Sequence, residues 1–259
     1  MEPYLDANIS ILRQKLDNFC DRNEIFDLKR LLHYYVIDVL GELAFGRSFG
    51  VQIADDESLV PPVVEHSLLA AATGSWPAMT RRLKKWLPKL PIPALRRLFK
   101  GREACAALAA SNVQRRMEEL RSMMGTNEKY LGRKDIITSL ILAKHPETGE
   151  RLSRADLETE AFGFIIAGTH TTSATTLLLF YYLLHSPNIM AKCVEEIDFQ
   201  LPLLGDSHPA YLMSEVEKCL PYLRQCIKEN FCITPVFTMP LARRVLVLEG
   251  VTIGGEHIK

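Results

Sequence analysis

Hydrophobic residues recur with a helical period over most of the chain. The first helix, predicted over 4–20, carries its apolar stripe on residues spaced by three or four: Leu5, Ile9, Leu12, Leu16 and Phe19. Similar spacing predicts further helices over 27–45, 57–72, 78–86, 94–123, 134–144, 187–200 and 213–232. Gly46 follows the second helix, where glycine readily adopts the left-handed conformation of a C-terminal cap. The pattern predicts a mainly α-helical fold.

A long central helix is predicted to begin after Ser153, because its hydroxyl can cap a free backbone amide at a helix start. The helix should continue to Leu184 or His185, within a stretch, 161–191, that contains no charged side chain. Such a stretch is long enough to cross a bilayer. Its middle, however, is a polar block rich in threonine at 168–176. The sequence therefore favours the buried axis of a globular domain over a membrane span.

The polar block has two readings that the sequence leaves open. In one, each threonine hydroxyl bonds to the backbone carbonyl one turn back and has no further role. In the other, Gly168 and the hydroxyls beside it open a local groove for a ligand, because back-bonding threonines distort the helical ladder.

The pattern changes after Pro240. β-Branched residues, a Glu-Gly pair at 249–250 and a Gly-Gly pair at 254–255 predict the first hairpin of a small sheet. The chain is therefore divided into a helical core over 1–234 and a β region that begins at about residue 240.

Composition excludes several classes of protein. The 259 residues hold 31 basic and 31 acidic side chains, and this zero net charge argues against a nucleic-acid binder. The six cysteines include no CxxC pair, so neither a disulfide framework nor a zinc site is predicted. The first residues lack a basic segment followed by an apolar run, so no anchor is predicted and the chain is expected to be cytosolic or membrane-peripheral.

One segment nevertheless carries a strong local charge. Between His66 and Arg102 there is no acidic residue, while nine lysines and arginines alternate with leucines, Trp76 and Trp86. Such a mixture fits a surface that rests on anionic lipid headgroups, here over 76–102. The alternative is a solvated basic face whose tryptophans pack inward.

Three motifs in this order resemble the cytochrome P-450 family, the heme-thiolate monooxygenases, and in particular its fungal microsomal members. Ala-Gly-Thr-His-Thr-Thr at 167–172 is similar to the family's oxygen-activation motif, in which Gly precedes any residue, an acid and Thr. Lys-Glu-Asn-Phe at 228–231, with Ile-Thr-Pro at 233–235, is similar to the E-x-x-R helix and the segment after it. Residues 38–50 resemble an earlier family helix and its closing turn. The resemblance implies one incomplete domain over 1–259, the central part of the family fold.

The resemblance also implies site residues. In the family the glycine of the central helix lies over heme b, and the threonine hydroxyl takes part in oxygen activation and proton relay; these roles fall to Gly168 and Thr171. Ala167 would line the same groove and Thr172 would support it. The arginine that pairs with a heme propionate falls on Arg244. No metal ligand is assigned.

Two residues depart from the family motifs. His170 stands where the family has an acid, so an imidazole or another water chain would deliver protons. Cys232 stands where the family has the arginine of E-x-x-R, so Glu229, expected to be structural, lacks its cation. Loss of one partner from a buried ion pair costs about 3–5 kcal/mol.

The cysteine that holds the iron in the family lies in a glycine-rich loop beyond the E-x-x-R helix, and none of the six cysteines is followed by that glycine pattern. The expected function is oxidation of a lipophilic small molecule in secondary metabolism, with NADPH electrons from cytochrome P-450 reductase at the endoplasmic-reticulum membrane. This chain, truncated at both ends, is expected to be inactive alone. The alternative is a non-enzymatic helical protein that binds an apolar ligand or a partner.

Overall fold

A computed structural model describes residues 2–74, 77–124, 135–204, 209–236, 245–247 and 249–258, apart from the side chains of 77, 78, 81, 83 and 84. Within this part the helices are α1 Pro3–Arg22, α2 Leu28–Phe45, α3 Val51–Ala54, α4 Val63–Gly74, α5 Pro77–Trp86, α6 Pro93–Met124, α7 Ile136–Leu142, α8 Arg154–Gly168, α9 His170–Leu184, α10 Pro187–Gln200, α11 Met213–Cys219 and α12 Pro221–Ile233. Strands β1 Val251–Ile253 and β2 Glu256–Ile258 pair antiparallel around Gly254 and Gly255. The mainly α-helical class and the small sheet near the end of the sequence are confirmed.

Two predicted start and stop signals lie where the pattern placed them. Ser153 accepts a hydrogen bond from the Asp156 backbone N–H, while the Asp156 carboxylate accepts one from the Ser153 N–H, which together form a capping box at the start of α8. Gly46 caps α2 with a φ of 75°, the left-handed conformation that glycine adopts without a steric cost.

Three predicted helices are interrupted in the structure. The central helix divides at Thr169, a fully buried residue whose hydroxyl bonds to the Ile165 carbonyl at 3.0 Å. The helix predicted over 213–232 breaks at Leu220, because Pro221 has no N–H and disfavours a helical conformation in the residue before it. Within 57–72, a 3-10 turn at Glu57–Leu59 precedes α4, and the pair Pro61-Pro62 separates them.

The hydrophobic core lies where α8 packs against α2, α4, α6 and α7. Its fully or almost fully buried members are Ala44, Phe45, Val63, Cys105, Ala109, Val113, Ile137, Leu157, Ala161 and Ile165. α9 continues past this core and leaves Phe180, Tyr181 and Leu184 exposed on its far side. None of the described helices is both long and apolar enough to span a bilayer.

Two buried acids fix the ends of short elements. Asp38 of α2 accepts hydrogen bonds from the N–H groups of Val51 (3.1 Å) and Gln52 (2.8 Å) and so holds the start of α3. Asp135 accepts from the Thr138 N–H at the start of α7 and forms an ion pair with Arg116 of α6. The turn after α2 and the junction of α6 with α7 therefore depend on single carboxylates.

Candidate functional site

A groove of about 570 Å³ lies between α9 and α12. The residues that line it are Thr171, Thr172, Thr175, Thr176 and Leu179 of α9, Ile227, Asn230 and Phe231 of α12, and Val236. None of these lining residues is ionisable, and most of the surface they present is apolar. The groove is therefore suited to an apolar ligand of moderate size.

Three of the four threonines that line the groove bond to a backbone carbonyl one turn back. Thr175 donates to the Thr171 carbonyl at 2.8 Å and Thr176 to the Thr172 carbonyl at 2.9 Å, and Thr171 donates to the Ala167 carbonyl. A threonine whose hydroxyl bonds one turn back has its donor satisfied, so its methyl group can face an apolar ligand. The back-bonding expected of the polar block is therefore present, and the back-bonded threonines line a groove.

The opposite wall is positioned by contacts at two points of α12. At its start the Glu196 carboxylate of α10 accepts from the backbone N–H groups of Tyr222 (2.7 Å) and Leu223 (2.9 Å), which would otherwise be unpaired. Further along, the buried Asn230 side chain donates from Nδ2 to the Thr175 carbonyl at 3.0 Å. These bonds tie α12 to both α10 and α9.

The family motif at 167–172 is divided between two faces of the central helix. Thr171 and Thr172 line the groove, whereas Gly168 faces α2. A Cβ at Gly168 would lie 2.7 Å from Leu40 Cδ1, closer than carbon atoms normally approach. The lack of a side chain at Gly168 therefore allows α8 to pack closely on α2, and Ala167 contributes the carbonyl that Thr171 bonds.

His170 contacts a second histidine on α2 and is not a lining residue of the groove. The rings of His170 and His33 meet edge to face with centroids 4.5 Å apart. Burial, with His170 and Lys29 nearby, lowers the pKa of His33 to about 4, and burial, with Lys29 nearby, also lowers the pKa of His170. Both imidazoles are therefore neutral at neutral pH, which makes His170 a weak proton donor.

The remaining predicted residues lie at the edge of the described site or outside it. Glu229 and Cys232 are exposed on α12, and neither lines the groove. Arg244 lies outside the described residues. All six cysteines are free thiols, and none of them lines the groove.

Asn230, Thr175 and Thr176 belong to the site, although the motifs did not single them out. The signal for the threonines was their spacing, because residues four positions apart share one helix face with Thr171 and Thr172. The signal for Asn230 was weaker. It lies three residues after Ile227, on the apolar side of the helix, where a polar side chain needs a partner.

Comparison with known proteins defines the class. The chain matches the Cytochrome P-450 family model over residues 1–259 and belongs to this family. It is 28% identical over 264 residues to a cytochrome P-450 monooxygenase of Alternaria alternata, covering 100% of this chain and 66% of that relative. It is 27% identical to a benzoate 4-monooxygenase of Aspergillus niger, covering 94% and 48%.

Solved structures agree with this class at the level of the fold. A crystal structure of a cytochrome P-450 superposes with a TM-score of 0.62 at 18% identity, covering 88% of this chain and 47% of that one. The chain thus spans between about half and two thirds of the length of its relatives. The family and the fungal affiliation predicted from the motifs are confirmed.

Proposed function

We propose that the groove between α9 and α12 is the distal side of the heme pocket of a monooxygenase that oxidises a lipophilic small molecule. The observation that carries the proposal is the position of Thr171 and Thr172, which lie in an apolar groove closed on the other side by the E-x-x-R-like helix. A family motif that had only a packing role would not require a groove at this point.

The lining residues fit one face of a heme. The porphyrin is a flat and largely apolar group, and Leu179, Ile227 and Phe231 offer apolar contacts without any ionisable side chain beside them. When bound, heme supplies the redox chemistry that activates oxygen. The described lining holds no thiolate, since none of the cysteines lies there. The lining would therefore hold an apolar face of the group and offers no ligand for its iron.

The side chains that line the groove would position the substrate and exclude water. The hydroxyl of Thr171 is one of the two polar groups of the oxygen-activation motif that lie in the groove. Its oxygen can accept a hydrogen bond while its hydrogen is held by the Ala167 carbonyl. Rotation about χ1 would release that hydrogen toward the groove.

Arg244 is proposed to hold a propionate and Glu229 to keep a structural role. Electrons would come from NADPH through a reductase partner.

We further propose that the 259-residue chain by itself does not perform this oxidation. Expressed with a supply of heme and reduced under carbon monoxide, it should give no thiolate-type Soret band, because no cysteine lines the groove. The variant Cys232→Ser, which removes the exposed thiol nearest the groove wall in sequence, should leave that spectrum unchanged. A clear thiolate-type band from the unmodified chain would contradict the proposal.

The apolar-ligand alternative has one observation in its favour, the absence of ionisable groups among the lining residues. It predicts a stable monomer that unfolds cooperatively and binds an apolar fluorescent probe. The variant Thr172→Lys should weaken binding of the probe. Aggregation of the chain on expression, with no probe binding by the soluble fraction, would speak against it.

The basic segment at 76–102 is proposed to contact the membrane surface. Trp86 is 61% exposed, and Leu90 and Ile92 are exposed beyond it, so Trp86 does not pack inward as the alternative required. The Lys89 ammonium lies 5.1 Å from the centre of the Trp86 ring. A cation beside an exposed aromatic ring is typical of surfaces that rest at the level of lipid headgroups. Trp76 lies outside the described residues.

Cosedimentation with vesicles that contain phosphatidylserine tests this contact. We expect binding to weaken about fivefold for Lys85→Gln, since one lysine near an anionic surface contributes about 1 kcal/mol. Lys144→Gln removes a charge that is also exposed but lies outside the segment, and it should leave binding unchanged. Equal losses from the two variants would show that the attraction is not localised to 76–102.

A further inference from the structure

Two cysteines of different helices meet behind the groove wall. Cys193 of α10 and Cys226 of α12 lie with their sulfur atoms 3.8 Å apart. Cys193 is almost fully buried and Cys226 is half-buried, so one of the two thiols is accessible to a small solute. No lining residue of the groove is a cysteine, so the site already described makes no use of this pair.

The surrounding contacts hold the two helices in register. One turn along α10 from Cys193, the Glu196 carboxylate accepts from the Tyr222 and Leu223 N–H groups. Lys192, next to Cys193, lies 6.0 Å from the centre of the Tyr222 ring. The sulfur atoms are therefore kept near each other by contacts on both helices. A disulfide has an S–S distance of about 2.05 Å, so the side chains must rotate and bring the sulfur atoms closer before the bond forms.

We propose that Cys193 and Cys226 are a site of reversible oxidation, at which hydrogen peroxide converts the two thiols into a disulfide between α10 and α12. Cys226 reacts first because it is the accessible thiol of the two. Its thiolate attacks a peroxide oxygen, the O–O bond breaks, and a sulfenic acid and one water are formed. Cys193 then attacks the oxidised sulfur, the S–O bond breaks, and a second water leaves. Two sulfur atoms are oxidised and one peroxide is reduced.

Burial makes the second step of this reaction slow. It raises the pKa of the Cys193 thiol to about 11, so few Cys193 thiolates are present at neutral pH. The second step should therefore accelerate as the pH rises. Once formed, the disulfide would fix α12 one turn before Asn230, the residue that bonds across to α9. Oxidation would thus tie the groove wall covalently to α10.

Thiol mapping tests the proposal on the whole chain. The folded protein is treated with hydrogen peroxide, the remaining thiols are alkylated, and the peptides are analysed without reduction. We expect one intramolecular cross-link, between Cys193 and Cys226, with the loss of two alkylatable thiols. Dithiothreitol should restore both thiols. The thermal unfolding midpoint should be higher in the oxidised form, because a cross-link restricts the unfolded chain.

Matched variants separate the pair from the other cysteines. Cys193→Ala and Cys226→Ser should each abolish the cross-link, whereas Cys232→Ser, on the same helix as Cys226, should leave its yield unchanged. The same treatment in denaturant should give mixed pairings, since proximity then no longer selects one partner. Cross-links in the folded chain that involve Cys219 or Cys232, intermolecular dimers as the main product, or full retention of all thiols would each overturn the proposal.

Discussion

Arg116→Ala should lower the free energy of unfolding by about 3–5 kcal/mol, the usual cost of leaving one member of a buried ion pair without its partner. The Arg116 Nη2 and the Asp135 Oδ2 are 2.6 Å apart, with side chains that are 7% and 0% exposed. Arg116 also donates from Nε to the Thr138 hydroxyl at 2.8 Å and from Nη1 to Glu119 at 2.8 Å. Its loss therefore leaves a carboxylate buried at the junction of α6 and α7.

Urea unfolding followed by circular dichroism measures this effect. The double variant Arg116→Ala/Asp135→Ala should cost less than the sum of the two single variants, because the second change removes the stranded charge. Part of the loss should persist, since Asp135 also caps α7. Arg154→Ala is the control. Its ion pair with Glu158 is exposed and should contribute less than about 1 kcal/mol. Equal costs for Arg116→Ala and Arg154→Ala would contradict the expectation.

Gly101→Ala should destabilise the chain by at least about 2 kcal/mol through overpacking between α4 and α6. A Cβ at Gly101 would lie 2.4 Å from the Glu65 Cβ and 3.3 Å from the Pro62 carbonyl oxygen. Neither atom is the free end of a flexible side chain, and Arg97 holds the Glu65 carboxylate at 2.7 Å. The two helices must therefore move apart.

Gly163→Ala provides the matched control for Gly101→Ala. Gly163 lies within α8, and no heavy atom would lie within 4 Å of an added Cβ. Alanine there should raise stability by about 0.4–1 kcal/mol, because it restricts the unfolded chain and favours the helix. The two replacements are chemically identical, so opposite changes in the thermal unfolding midpoint would isolate the contact at Gly101. Stabilisation by both would show that α4 and α6 are not closely packed there.

The helices could be predicted from the sequence where the signal is local. A capping box needs only Ser153 and Asp156, and the end of α2 needs only a glycine after an apolar run, so both were found. The break at Thr169 was not predictable in the same way. A threonine within a helix commonly bonds back without interrupting it, and the outcome depends on the neighbours that bury this residue.

The site was only partly predictable for a geometric reason. Successive residues of a helix point about 100° apart, so a motif of six residues surrounds the axis and cannot all face one groove. Packing against α2 takes Gly168 and His170 away from the groove and leaves Thr171 and Thr172 in it. On α12 the motif drew attention to Glu229, whereas the neighbouring Asn230 makes the contact across to α9.

The back-bonded threonines also determine which hydrogen-bonding groups the groove offers to a ligand. Thr171, Thr175 and Thr176 each commit their hydroxyl hydrogen to a carbonyl, and Asn230 commits an amide hydrogen to α9. What these three hydroxyls still offer is oxygen lone pairs beside apolar carbon. A ligand with a hydroxyl or N–H group could donate a hydrogen bond to these oxygens. A ligand with only carbonyl or ether oxygens could not, because both sides would then be acceptors. At these three positions the groove therefore offers acceptors rather than donors.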